Sequence, residues 1–170
     1  MELIKEIVFI DPPTKWTLAY KKPKFDKDGK LITHQDFYLT GNLFYSDRTS
    51  YHLTSKIIQE SKEYLFSKTQ GLPELEKIRL EFEYHHTKEI DLDNKGNYWL
   101  KLFLDILKTP TQRQINNQKK VIITTNTIID DNTKYLDEIK LKFVKGEHKM
   151  IFRIFGIPKS TQEKLDLFFK

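Results

Sequence analysis

Asp91 and Asp93 bracket a single leucine, Asn94 follows at once, and a second acidic pair, Asp130-Asp131, comes further along the chain. On extended backbone side chains alternate with period two, so the aspartates of a D-x-D pair point the same way. Joined by a third carboxylate from a separate segment, they make an all-oxygen pocket suited to a hard divalent cation such as Mg²⁺. Aspartates hold such an ion without much reducing its ability to polarise a phosphate and lower the pKa of an attacking water. On a basic chain this set points to phosphodiester chemistry. Asp and Asn also cap helix N-termini, and a cap on a following helix accounts for the same residues. The two roles are compatible, one residue capping while its neighbour binds metal.

Asp130 and Asp131 are adjacent, so their side chains diverge and one of them at most faces the Asp91/Asp93 pocket; solvated turn residues are the plainer account. Lys101 and Asp105, four apart, share a helix face. They form either a surface ion pair contributing a few tenths of a kcal/mol or a site in which the Lys101 ammonium stabilises charge developing on a phosphate. An EF-hand loop over Asp91–Leu102 is excluded, because Lys95 stands at its fifth position and Leu102 where a bidentate Glu is required. His85-His86 and His52 lack metal-ligand spacing and read as a strand-end pair and a helix-surface residue. Trp16 and Tyr20, interleaved with Lys15, Lys21 and Lys22, suit base stacking and phosphate contact, or serve as loop anchors. No P-loop, dinucleotide fingerprint or serine nucleophile elbow occurs.

The elements that must position these residues follow from periodicity. Ile4 to Ile10 is a β-branched strand stopped by Asp11-Pro12-Pro13. Residues 14–48 show no sustained period and form a long connection with a hairpin turn at Asp28-Gly29. A helix starts near Thr49-Ser50 and runs to about Lys68, with Gly71 and Pro73 ending it. Ile78, Leu80, Phe82 and Tyr84 alternate with Lys77, Arg79, Glu81 and Glu83, the pattern of a half-buried strand. A second helix spans Asn97 to Lys108, burying Trp99, Leu100, Phe103, Leu104 and Leu107, and Thr109-Pro110 closes it. Residues 109–127 read as an insertion, with Val121–Ile123 either a short strand or packed beneath that loop. Glu138–Val144 and Lys149–Phe155, joined at Lys145-Gly146, read as a C-terminal β-hairpin. The expected fold is α/β of the α+β kind: a single domain with a small mixed sheet, two main helices and that hairpin.

The 170 residues suffice for one self-supporting core. There are no cysteines, which excludes disulfides and thiolate metal sites and fits a reducing, cytoplasmic setting. The N-terminal apolar stretch is too short for a signal peptide, and no apolar run approaches the roughly 20 residues of a membrane span. The net charge of +5 suits a polyanionic partner or simply a lysine-rich soluble surface. The lysines gather in two groups, one including Lys15, Lys21 and Lys22, the other Lys140, Lys142 and Lys145.

Taken together, Asp91-Leu92-Asp93-Asn94, Lys101-x-x-x-Asp105, Ile129-Asp130-Asp131 and the opening Phe9-Ile10-Asp11-Pro12-Pro13-Thr14 resemble the RusA family of Holliday-junction resolvases, over about residues 4–156. The resemblance implies a Mg²⁺-dependent (or Mn²⁺-dependent) homodimeric endonuclease that makes paired nicks in four-way DNA junctions, as in recombination and repair, with phage or mobile elements as an analogous setting. Asp91, Asp93 and Asp131 match the family's metal ligands, and Lys101 its catalytic lysine. Family members place that lysine four residues after the second Asp, whereas Lys101 lies eight after Asp93. Either Lys95-Gly96-Asn97-Tyr98 bulges ahead of the helix, leaving Lys101 in place, or another lysine such as Lys95 serves. The other reading, from a different class, is a non-catalytic DNA-binding or adaptor protein in which the acidic cluster caps and rigidifies. A metal nuclease acting on other branched DNA is a third.

Overall fold

The computed structural model describes residues 1–45, 51–111, 114–115 and 122–159, with backbone alone at 21–23, 44–45, 51 and 92–93. Its order is β1 (Glu2–Ile10), β2 (Lys15–Phe25), β3 (Leu31–Tyr38), a 3₁₀ turn (Gly41–Tyr45), α1 (Tyr51–Thr69), β4 (Leu75–His86), α2 (Leu92–Leu107), β5 (Leu136–Lys145) and β6 (Lys149–Pro158). The content is α+β, as expected. The connection after Asp11 is more regular than its sequence pattern suggests. It is a two-stranded antiparallel ribbon, β2–β3, turning where Asp26 Oδ1 accepts from the backbone N–H groups of Asp28 and Lys30. Gly29 takes φ +76 there, a conformation its missing Cβ makes cheap. The expected helix start at Thr49-Ser50 lies outside the described residues.

The main sheet is four-stranded and mixed, in the order β1-β6-β4-β5. This corrects the C-terminal hairpin. β5 and β6 are consecutive and run in opposite directions, but β4 lies between them, parallel to β5 and antiparallel to β6. Residues 146–148 therefore cross two strand spacings, roughly 10 Å at about 4.8 Å each, passing over the end of β4, where Gly146 N donates to His86 O at 3.1 Å. Lys145-Gly146 carries the same turn chemistry for either connection. What separates them is long-range pairing, and β4, with Ile78, Leu80 and Phe82 fully buried, is the strand that gains most from a central place.

One face of the sheet carries the helices. Phe103 of α2 stacks on Phe152 of β6 (centroids 3.9 Å apart), which stacks in turn on Phe82 of β4 (4.2 Å). The expected apolar face of α2 is buried, and so are Tyr98, Leu102 and Ile106 on its other side. That second face meets α1 through a polar contact in the core, which the ribbon joins from its own side. Ser61, fully buried on α1, accepts from Trp16 Nε1 (2.7 Å), lies 2.7 Å from the Tyr98 hydroxyl and donates to Ile57 O (2.9 Å). One hydroxyl proton and two lone pairs suffice for all three bonds, so Tyr98 is the donor to Ser61. Trp16 thus anchors the ribbon to α1. The other sheet face is polar, with Arg153 bridging Glu6 (2.6 Å) and Glu83 (3.0 Å).

Where it is described, the segment after α2 returns to the end of that helix, and Ile123 packs against the core. Val121 lies outside the described residues, and 122–127 is irregular. Thr125 N donates to Ile106 O (2.7 Å), and Thr127 N and Ile128 N donate to Leu107 O (2.9 and 3.0 Å). These supply donors that the last carbonyls of α2 lack within the helix.

Candidate functional site

β4 leads through four residues to Asp91, which caps α2: its φ and ψ are −70° and 101°, and its Oδ1 accepts from Asn94 N at 3.2 Å. Asn94 Oδ1 in turn accepts from Asn42 N (3.2 Å), tying the 3₁₀ turn to this corner. Asp93 is the second residue of the helix. The extended alternation that would align the two carboxylates therefore ends at Asp91, and the Asp93 side chain lies outside the described residues. The expected helix start at Asn97 is corrected by five residues. Lys95, Gly96, Asn97 and Tyr98 are all helical, so no bulge precedes the helix. Lys101 is exposed and sits eight residues beyond Asp93, an axial rise of about 12 Å at 1.5 Å per residue. Lys95 stays within the first turns.

Asp131 lies at the other end of the same helix. Its Oδ2 accepts from Lys108 Nζ at 3.1 Å, Lys108 also meets Asp105 (3.1 Å), and Asp105 meets Lys62 of α1 (3.1 Å). Burial works against the Lys108 charge, but hydrogen bonds and attraction from Asp105 and Asp131 outweigh it and raise its pKa above the ordinary lysine value. Asp105 is therefore engaged with Lys62 and Lys108. From the Asp91 cap to Lys108 is 17 residues, an axial rise of about 25 Å. The sheet gives the same answer: Ile78 pairs with Leu136 and His86 with Lys145, eight residues or about 26 Å along the strands. Oxygens sharing one cation, each about 2.0–2.6 Å from it, lie within about 5 Å of one another. Allowing for the reach of Lys108, Asp91 and Asp131 of one chain do not meet that condition. Asp130 turns inward on its own loop, accepting from Asp131 N (2.9 Å) and Asn132 Nδ2 (2.9 Å); the first of these bonds leads in holding its pKa below the ordinary aspartate value.

Among the described residues, no group of three or more His, Asp or Glu is placed to hold a metal. The structure does bring together residues that the sequence pattern scatters. The end of β1, the end of β4 and the start of β6 share the sheet end at which α2 begins. His148 Nε2 lies 3.0 Å from the Tyr84 hydroxyl, and its ring meets the His86 ring edge to face, centroids 5.0 Å apart. Burial lowers the His148 pKa, repulsion from His86 and Lys95 lowers it further, and Asp11 opposes them. Burial also lifts Tyr84 to about 12. Asp11 holds φ 45, uncommon outside glycine, while its N–H donates to His148 O (2.9 Å). The corner thus combines two imidazoles, a lysine, two exposed aspartates and a helix N-terminus. Strand register is the signal that joins these residues, and β6 pairs with β4 and β1 across long sequence separations.

The expected nucleic-acid lysines differ in their surroundings. Lys15 is ion-paired with Asp36, and Lys140 with Glu81 and Glu138. Lys142 and Lys145 are exposed, and the side chains of Lys21 and Lys22 lie outside the described residues. Comparison of the chain with models of protein families, with curated proteins and with solved structures gave no match. Among the described residues, no helix is long and apolar enough to cross a membrane.

Proposed function

We propose that the chain is a divalent-cation-dependent endonuclease that hydrolyses phosphodiester bonds in branched DNA, four-way junctions foremost, and works as a homodimer. The observation that carries this reading is the exposed Asp91 at the head of α2, with Asp93 in the first helical turn and Lys95 and His148 at the same sheet end. Asp91 and Asp93 are a donor set of hard oxygens, fitting Mg²⁺ or Mn²⁺. A bound ion would polarise a phosphate oxygen and lower the pKa of a water. Lys95 takes the part expected of Lys101, offering an ammonium where negative charge develops. A two-fold dimer suits a junction that needs two equivalent cuts.

A second reading, DNA binding without cleavage, draws on the structural roles that the acidic residues already fill: Asp91 caps a helix and Asp131 pairs with Lys108. A labelled four-way junction incubated with Mg²⁺, Mn²⁺ or Ca²⁺, with linear duplex as control, separates the two. Nicks that require Mg²⁺ or Mn²⁺ and vanish in Asp93→Asn, with junction binding retained, are the expected result. A mobility shift without nicks under every ion supports the second reading and rejects the first.

A further inference from the structure

We propose that the β2–β3 ribbon is a wedge for branched DNA, with Phe25 and Leu31 entering between bases while the lysines around them hold phosphates. Along β3, Leu31, Thr33, Gln35 and Phe37 share one face by alternation. Phe25 pairs with Leu31, Leu18 with Gln35 and Trp16 with Phe37, so the apolar side chains of both strands lie on that face. The body of the protein covers only the base of the ribbon. Leu18 and Phe37 are each 7% exposed, whereas Leu31 is 51% and Phe25 72% exposed. From Lys24 to Asp36 every residue except Asp26 and Ile32 is exposed. The stripe that anchors the ribbon thus runs on into solvent and ends in an aromatic and an aliphatic side chain set directly opposite each other.

Charge chooses the occupant. Residues 15–36 hold six lysines and three aspartates, a net +3 where the whole chain carries +5. Two of the aspartates are already engaged, Asp36 with Lys15 and Thr17, and Asp26 with N–H groups of the turn. Lys24, Lys27 and Lys30 stand exposed around the Phe25/Leu31 pair, and the Lys24 ammonium lies over the Tyr20 ring, 5.0 Å from its centroid. Nucleic acid offers flat apolar base faces beside phosphates, and Phe or Leu side chains can enter between its base steps. A bilayer suits the ribbon poorly. Lys27, Asp28 and Lys30 belong to the turn beyond the pair and would meet the hydrocarbon first, at a cost that burying one Phe and one Leu does not offset. Unstacking costs least where bases are not held in a continuous duplex, which favours a branch point. The inference rests on the branched-DNA ligand proposed above and is independent of cleavage.

A four-way junction carrying 2-aminopurine at its branch point, bound in Ca²⁺, tests the wedge, because the probe brightens when it unstacks. The parent should bind and brighten it. Phe25→Ala should bind about fivefold or more weakly and brighten it little even at saturation, while Phe25→Trp retains both properties. Lys27→Ala/Lys30→Ala should weaken binding, lower its salt slope by about 1–2 and still brighten the probe at saturation. All three variants change exposed positions and should melt with the parent.

A Phe25→Ala protein that binds and brightens as the parent does overturns the wedge, as does a parent that binds no DNA. Binding to phosphatidylserine vesicles in place of DNA, or a parent dimer that Phe25→Ala dissociates, gives the tip another occupant and overturns it too. If the parent nicks the junction in Mg²⁺ while Phe25→Ala brightens the probe fully, the wedge fails and the nuclease reading stands. Brightening that depends on Phe25, without nicking under any ion, keeps the wedge and rejects the nuclease reading.

Discussion

Replacing Asp91 separates the two roles its position allows, because asparagine keeps one and alanine keeps neither. Asp91 satisfies one helix N–H, that of Asn94 at 3.2 Å. Asparagine caps about as well as aspartate, whereas alanine at such a position costs about 1 kcal/mol, within a range of 0.5–2. Loss of the negative charge near the helix N-terminus removes a further 0.3–1 kcal/mol or so in both variants, toward the low end at an exposed site. For a chain of 170 residues, 1 kcal/mol moves Tm by about 2–4 °C. Asp91→Asn should then melt within about 2 °C of the parent and Asp91→Ala about 3–5 °C lower by calorimetry. Junction nicking should fall by at least about 100-fold in both, since loss of even an outer partner of a metal ligand costs about 10–100-fold. If Asp91→Asn melts as low as Asp91→Ala, the cap is misassigned. If it is stable and nicks like the parent, the Asp91 carboxylate has no part in the chemistry.

Three further outcomes are expected. Ser61→Ala removes the acceptor of Trp16 and of Tyr98 inside the core and should cost roughly 2–4 kcal/mol by urea denaturation with the slope unchanged; a cost under about 0.5 kcal/mol would mean that this contact does not tie the ribbon to the helices. His148 has a lowered pKa in the fold, so the unfolded chain binds its proton more readily. Stability should therefore hold above about pH 6.5 and fall as pH drops through the lower folded value. His148→Gln should flatten this part of the urea-midpoint profile, and a parallel profile would remove His148 as its source. Lys108→Met breaks the contacts to Asp131 and Asp105 at partly exposed positions, so the loss should be on the order of 1 kcal/mol or less; a loss above about 3 kcal/mol would contradict their partial exposure.

Local signals carried much of this fold. The alternation of β4, the Asp-Gly turn, the Pro-Pro stop after β1 and the glycine and proline that end α1 are each decided within a few residues. The start of α2 was obscured by Gly96, which costs a helix about 1 kcal/mol relative to alanine and looks like a break. The helix runs through it nonetheless, with Asp91 as its cap and Gly96 buried. The split pair β5 and β6 was not legible, because its turn and alternation are those of a hairpin and only the insertion of β4 distinguishes it. The aspartates were legible as motifs. Their separation was not, since spacing along a sequence leaves the direction of the intervening helix unstated. The Tyr84–His86–His148 corner depends wholly on strand register.

α2 holds Asp91 and Asp131 at its opposite ends within one chain. The chain has no cysteines, so Lys88→Cys/Asn132→Cys protein takes two spin labels cleanly. Diluted into excess unlabelled chain to suppress signals between copies, it should give a pulsed-dipolar distance centred near 25 Å or longer. A distance below about 15 Å would place both acidic corners together within one chain, contradicting the helix geometry.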